Sequence, residues 1–134
     1  MAQTSKITRD ASGMILQAES TGITVSGTGD TTLLTLQTLG LKRLMVEIKP
    51  TTQALDTFVV SVQAHPNSAF VTLTNAVTST PAGQVVAASG TLASLAAAGT
   101  GWVLLDVQGF HAVQFSASAA ADSATVTIRA SGTS

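Results

Sequence analysis

The chain has no cysteine among its 134 residues. Without a thiol it can form no disulfide, hold no metal through thiolate ligands and use no cysteine nucleophile. A chain of this length can bury a core of its own as one domain, so no covalent staple is required. The lack of cysteine is also compatible with synthesis in a reducing cytoplasm.

Charged residues are scarce as well. They make up 10% of the sequence, against about 25% in ordinary soluble domains, and the formal net charge is -1. Nucleic-acid binding needs a basic stripe, whereas Lys42 and Arg43 are adjacent but isolated, so no nucleic-acid partner is expected. A neutral surface rich in Thr, Ser, Ala and Gly favours burial against other subunits. The alternative is a monomer with a Thr- and Ser-rich surface.

Groups for catalysis and metal binding are few. The two histidines, His65 and His111, fall in a predicted turn and at a predicted strand start, with no His-x-His pair of the kind a cupin uses. The carboxylates are too far apart in sequence for a calcium loop, and there is no Gly-x-Ser-x-Gly elbow or phosphate-binding loop. We therefore expect a non-enzymatic protein with no catalytic residues, no cofactor and no metal.

Signals for membranes and secretion are lacking too. Lys6 and Arg9 lie near the start of the chain, but no apolar run of the kind that a signal peptide needs follows them. The longest weakly polar stretch, residues 85–98, is interrupted by Ser, Gly and Thr and is too short to span a bilayer. No membrane partner is expected.

Period-two alternation of apolar and polar residues dominates the sequence and predicts half-buried strands. It is clearest where the apolar positions are Leu44, Val46 and Ile48; Phe58, Val60, Val62 and Ala64; Val103, Leu105 and Val107; Val113, Phe115 and Ala117; Val126, Ile128 and Ala130. Weaker candidates are residues 14–18, 23–26, 31–37, 69–74 and 84–88. Together they predict an all-β fold, a single β-sandwich or jelly roll of about eight to ten short antiparallel strands.

Glycine, proline and polar residues separate the predicted strands. They predict turns or loops at residues 27–30, 65–68, 79–83 and 108–109. Pro50 is expected to end a strand, because proline cannot donate to the ladder. Leu92 and Leu95, with Gly99 behind them, predict one or two helical turns within residues 91–98. We expect an extended arm at residues 1–12 and one β-sandwich domain at residues 13–134.

Four segments carry a resemblance to a known class of proteins: LKRLMVEIK (41–49), LDTFVVSVQ (55–63), GTGWVLLDVQGFHAVQFSAS (99–118) and ATVTIRASG (124–132). The chain resembles small virion proteins of tailed bacteriophages in the Ala-, Thr-, Ser- and Gly-rich composition of these segments and in its closing strand Ala-Thr-Val-Thr-Ile. It is most similar to head decoration (cement) proteins with β-sandwich or jelly-roll folds. Such proteins have no catalytic residues to carry over.

The resemblance implies a protein made in the host cytoplasm that binds the major capsid protein on the capsid exterior and stabilises the phage head. Decoration proteins act as homo-oligomers, so a dimer or trimer is expected. The polar arm is the candidate capsid contact. Its candidate interface residues are Thr4, Lys6, Ile7 and Arg9.

Trp102, the single tryptophan, is a further candidate interface residue. It shares its parity with Asp106, opposite Leu105, so that it is expected to face outward at a strand start. Packing in the core or at a sheet edge, a subunit interface and a sugar-stacking platform all remain open. The alternative functions are a tail-fibre, baseplate or carbohydrate-binding β-sandwich module, and a bacterial surface or filament subunit.

Overall fold

The computed structural model describes residues 4–9, 15–75, 85–89 and 101–134. These residues form the strands β1 (Thr4–Arg9), β2 (Ile15–Ser26), β3 (Thr31–Gln37), β4 (Arg43–Thr51), β5 (Leu55–Gln63), β6 (Val71–Asn75), β7 (Val85–Ser89), β8 (Gly101–Asp106), β9 (Ala112–Ala119) and β10 (Ser123–Thr133). Across these ranges, no helix is long and apolar enough to cross a membrane.

The strands form two antiparallel sheets that enclose one core. The six-stranded sheet has the order β1-β2-β10-β4-β8-β7, and the four-stranded sheet has the order β3-β9-β5-β6. Strands β2, β3, β4 and β5 alternate between the two sheets along the chain, and so do β8, β9 and β10. This winding is that of a jelly roll. The predicted all-β sandwich or jelly roll is confirmed.

Alternation along each strand determines what enters the core. On β4, Leu44 and Ile48 are fully buried while Lys49 is exposed. On the facing sheet, the rings of Phe58 and Phe115 stack with centroids 5.9 Å apart. The predicted inward faces are confirmed at the described positions except Ala64, because period-two alternation places successive side chains on opposite faces of a sheet. Ala64 is exposed because β5 ends at Gln63.

Strand β2 corrects the prediction of two separate strands at residues 14–18 and 23–26. It is one strand of 12 residues with a bulge opposite Thr127, because Val126 pairs with Ile23 while Ile128 pairs with Ser20. Gly22 occupies the left-handed region at this bulge, with φ of 68°. The bulge shifts the buried positions from even to odd numbers, and this change of phase imitates a strand break.

Pro50 does not end a strand, contrary to the prediction. Strand β4 continues to Thr51, and Pro50 pairs with Val126 of β10. On the other side of β4, the last described pair with β8 is Ile48–Gly101. Pro50 therefore lies beyond the described end of that ladder, where a residue without an N–H group is tolerated. The predicted loop at 79–83 and helical turns at 91–98 lie outside the described residues.

Part of the predicted arm forms strand β1, which pairs with β2 from Thr4–Thr21 to Arg9–Leu16. Ile7 lies opposite the buried Ala18 and so belongs to the core-facing side of the sheet, yet its side chain is 54% exposed. The four-stranded sheet therefore does not cover β1. The division into an arm at 1–12 and a domain at 13–134 stays a prediction.

The stacked phenylalanines should contribute most to stability. Phe58→Ala removes a fully buried ring and its stacking partner's contact, and should lower the free energy of unfolding by about 3–5 kcal/mol. Urea denaturation followed by Trp fluorescence measures this change. As a control, Val71→Ala at a side chain that is 65% exposed should change it by less than about 0.5 kcal/mol. Equal losses for the two variants would contradict the assigned core.

Candidate interaction surfaces

A row of charged side chains crosses the outer face of the six-stranded sheet. Arg129 of β10 lies directly opposite Glu19 of β2 and Glu47 of β4. Its Nε donates to Glu19 Oε2 at 2.5 Å, and its Nη1 donates to Glu47 Oε1 at 3.4 Å. We call these three residues, with the backbone positions in register with them, the charged row. The backbone register extends it to Lys6 opposite Glu19 and to Trp102 opposite Glu47.

The electrostatics of the charged row are those of a solvated surface. The hydrogen bond to Glu19 is the largest cause of a raised pKa for the Arg129 guanidinium, opposed by its partial burial and reinforced by the charges of Glu19 and Glu47. Arg129 therefore remains cationic at any pH at which the protein is folded. About half of each of the three side chains is exposed, so each pair contributes only about 0.2–1 kcal/mol.

A shallow polar groove of about 340 Å³ lies beside the charged row, across β1, β2 and β10. It is lined by Thr8, Gln17, Ala18, Glu19, Arg129, Ala130 and Ser131. The small residues Ala18 and Ala130 line the groove together with side chains that carry hydroxyl, amide, carboxylate and guanidinium groups. These groups can hydrogen-bond a polar ligand or a polar segment of a partner.

The outer face of the four-stranded sheet carries uncharged polar side chains instead. One row of its residues runs through all four strands: Thr35 opposite Gln114, Gln114 opposite Ser61, and Ser61 opposite Thr72. The Gln114 side chain donates to Thr35 Oγ1 at 3.2 Å, and this hydrogen bond joins β9 to β3 within the row. We call this surface the neutral face.

Among the residues of the described strands, charge is nearly confined to the six-stranded sheet, while Asp30, Lys42 and Asp122 lie between strands. Within the described strands of the four-stranded sheet, Asp56 is the one charged residue. Strands of the six-stranded sheet hold Lys6, Arg9, Glu19, Arg43, Glu47, Lys49, Asp106 and Arg129. The molecule thus has one charged and one neutral outer face.

A hydrogen-bonded chain of side chains fixes one end of the neutral face. Thr57 Oγ1 donates to Asp30 Oδ1 at 2.5 Å and lies 2.8 Å from Ser118 Oγ. Because a hydroxyl has one proton, Ser118 is the donor in the second contact. The chain ties the turn before β3 to β5 and β9 of the same sheet through the carboxylate of Asp30.

The residues singled out from the sequence do not converge on one site. Thr4, Lys6, Ile7 and Arg9 all lie on β1, and Trp102 lies on β8, which the strands β2, β10 and β4 separate from β1. Among the five, Ile7 is the residue whose side chain the structure describes, and it is exposed. Lys6 and Trp102 share a backbone row at opposite ends. Their roles as interface residues stay predictions.

Each of the two histidines takes part in hydrogen bonds with the backbone of neighbouring segments. The exposed His65 accepts the backbone N–H of Asn67 on its Nδ1 at 3.1 Å, within the β5–β6 turn. His111 is half-buried before β9, and its backbone bonds Gln63 and Thr38. In the part of the chain that the structure describes, no group of three His, Asp or Glu residues could hold a metal ion.

Sequence reasoning predicted a neutral surface without locating it on one sheet, although the sequence contains a signal for its strands. No Asp, Glu, Lys or Arg lies between Asp56 and Asp106, a stretch that includes most of β5 and all of β6. A second charge-free stretch between Asp106 and Asp122 contains β9. Both stretches supply strands to the same sheet, which only the strand order reveals.

The charged row should matter little for stability, and its effect should depend on salt. Arg129→Gln should lower the free energy of unfolding by roughly 0.5–1 kcal/mol at low ionic strength and by less in about 1 M salt, where the Debye length is about 3 Å. Urea denaturation at two salt concentrations measures this. Lys49→Gln, which removes the same charge opposite Thr127, is the matched control. A salt-independent loss above about 2 kcal/mol would contradict a solvated row.

No protein-family model matches the chain, and no curated protein matches it significantly. Among solved structures the chain is similar to the SPBc2 prophage-derived protein YomS, at 11% identity and a TM-score of 0.47, over 97% of this chain and 93% of that one. It is also similar to a protein of Bacillus endospore appendages, described as disulfide-linked pili, at 9% identity and a TM-score of 0.43, over 99% and 91% of the two chains. At such low identities and TM-scores, these likenesses carry no argument about function.

Proposed function

We propose that the protein is a non-enzymatic structural subunit that docks through its neutral face onto the shell of a tailed-phage head. The observation that carries this proposal is the segregation of charge, which leaves Asp56 as the one charged residue in the described strands of the four-stranded sheet. Dehydrating an unpaired charge costs several kcal/mol, and the cores of interfaces are depleted of charge. A face whose described strands hold a single charged residue keeps that cost low when a partner covers it.

The side chains of the neutral face also suit docking in other respects. Thr and Ser lose less rotamer entropy on burial than Lys or Glu, for which the loss reaches about 1.5–2 kcal/mol. A hydroxyl such as that of Thr35 or Ser61 both donates and accepts hydrogen bonds, so that it can match either kind of partner group. The partner face that fits is therefore uncharged and polar, with backbone or side-chain groups that complete these bonds.

The size of the neutral face favours a repeating partner. Four strands of five to nine residues, spaced about 4.8 Å apart, span an area on the order of 500 Å². A standard stable interface buries about 800 Å² per partner, so one such contact is weak. A shell of many identical subunits compensates by avidity when the docked protein is itself a dimer or trimer. The resemblance to head decoration proteins supports the phage capsid as that shell and the major capsid protein as the partner.

The rival functions draw less support from the described residues. A carbohydrate-binding module stacks sugars on exposed aromatic rings, whereas Phe58 and Phe115 are buried and Phe70 and Phe110 are half-buried. The polar groove beside the charged row offers hydrogen bonds without a described aromatic platform. Tail-fibre and baseplate proteins share the sandwich architecture, and the location of the protein in a virion separates them from a head protein.

A charge placed on the neutral face should abolish docking. We expect virions from cells that express Ser61→Lys to lack the variant, whereas wild-type protein is present on the head. The reason is that the ammonium group would be dehydrated without a counter-charge. Quantitative mass spectrometry of purified virions measures incorporation, and labelled electron microscopy locates the protein on head or tail.

Thr24→Lys is the matched control, since Thr24 is exposed on the outer face of the six-stranded sheet. It adds the same charge and should be incorporated like the wild type. Incorporation of both variants would refute docking through the neutral face. Wild-type protein found on the tail, or in no virion, would refute the head assignment.

Removing residues 1–12 should weaken assembly and leave the fold intact. The entropy of ordering β1 offsets most of its ladder with β2, and the half-exposed Ile7 contributes about 1 kcal/mol through burial. The melting temperature should therefore fall by only about 3–5 °C. Light scattering over a range of concentrations should show a dimer or trimer for the full chain and a smaller mass for the truncated one. A truncated chain that unfolds, or that assembles like the full chain, would contradict this prediction.

A further inference from the structure

Strand β1 is attached to the sandwich mainly through its backbone ladder with β2. The side chains of Ile7 and Thr8 are exposed and add little to that attachment, although Ile7 lies on the core side of the sheet. Among the other edge strands, β3 differs because Leu34 and Leu36 are buried in the core, whereas Val71 and Thr72 of β6 are exposed. An edge segment whose described side chains are exposed opens at low free energy, since local opening follows the amount of apolar contact.

Two kinds of strand pairing could use this edge. A further strand could add outside β1, or β1 could leave β2 and be replaced there by another strand. The sequence of β1, TSKITR, places Lys6 and Arg9 along the edge. Lysine and other charged residues on an edge strand disfavour the addition of a further strand. Replacement at β2 is therefore the favoured route, and the segment that fits β2 best is β1 itself.

We propose that β1 is an exchangeable strand, so that in an oligomer of this chain the β1 of one copy pairs with the β2 of a neighbouring copy. The exchanged strand keeps every ladder hydrogen bond and every side-chain neighbour that it has in one copy, and proximity of the two copies decides which pairing forms. The partner is thus a second copy of this chain.

The register of the exchanged strand is set by alternation. In the observed register Ile7 lies opposite Ala18 on the core side, and Lys6 lies opposite Glu19 on the outer side. A slip by one residue would put Lys6 on the core side opposite the buried Ala18. The contact between Ile7 and Ala18 on the core side and the pairing of Lys6 with Glu19 on the outer side therefore favour this register, although Arg9 lies on the core side opposite the buried Leu16.

A disulfide across the β1–β2 ladder tests the exchange, because the chain has no cysteine of its own. Thr8 and Gln17 lie directly opposite each other and are both exposed. Opposed Cα atoms of about 4.5–5.5 Å separation are within reach of a disulfide. In the double variant Thr8→Cys/Gln17→Cys, oxidation should yield covalent dimers on non-reducing gels, in a fraction that rises with protein concentration.

The matched control is Thr35→Cys/Gln114→Cys, an opposed pair on the edge strand β3 and its neighbour β9. Its disulfide should form within single chains at every concentration, and at the highest concentration the Thr8/Gln17 variant should exceed it roughly tenfold in dimer. Peptide mapping must join position 8 of one chain to position 17 of another, which isotope-labelled and unlabelled copies distinguish from a link within one chain.

Three results would overturn the exchange: monomeric disulfides only for the Thr8/Gln17 variant, equal dimer fractions for both variants, or dimers joined through position 8 of both chains. The sample contains no capsid. A negative result therefore leaves docking through the neutral face unaffected, and a failure of docking in virions leaves the exchange unaffected.

Discussion

Burial of one face of each strand is the constraint on which the rest of this structure depends. The core takes Leu44, Val46 and Ile48 from one sheet and Phe58 and Phe115 from the other, and alternation sends the residues between them to the surface. Once the inward positions are apolar, the outward positions can differ between the two sheets at little cost to the fold. The outward positions of the charged row carry ionised side chains that stay hydrated. Those of the neutral face carry uncharged polar side chains that a partner can dehydrate.

Much of the fold could be predicted from the sequence because the alternation is local. It failed where a local device changes the phase, as at Gly22, whose bulge in β2 shifts burial from Ser20 to Ile23 and imitates two strands. It also failed at Pro50, because a proline ends a strand only where a neighbouring strand needs its N–H group. In β1 the described side chains of Ile7 and Thr8 are both exposed, so this part of the strand carries no alternation of burial.

The candidate surfaces were harder to predict, because they depend on which strands are neighbours. Glu19 and Arg129 are 110 residues apart in the chain, and nothing local indicates that they share a row. Alternation assigns residues to a face and leaves the partner strand undetermined. The low charge content correctly indicated a neutral surface, and only the strand order shows that β3, β5, β6 and β9 collect it on one side.

The two proposed associations use different parts of the molecule and need not compete. The neutral face belongs to the four-stranded sheet, and the stacked rings of Phe58 and Phe115 pack in the core on the inner side of that sheet. Strand β1 belongs to the edge of the other sheet and has no side chain described as buried in the core. Loss or exchange of β1 therefore leaves the geometry of the neutral face unchanged. A packed sheet can dock on the capsid lattice without losing backbone conformational entropy. A weakly held strand can link neighbouring copies, because the lattice fixes the distance between them. Docking would bring copies close together, and that proximity is the condition under which strand exchange becomes favourable.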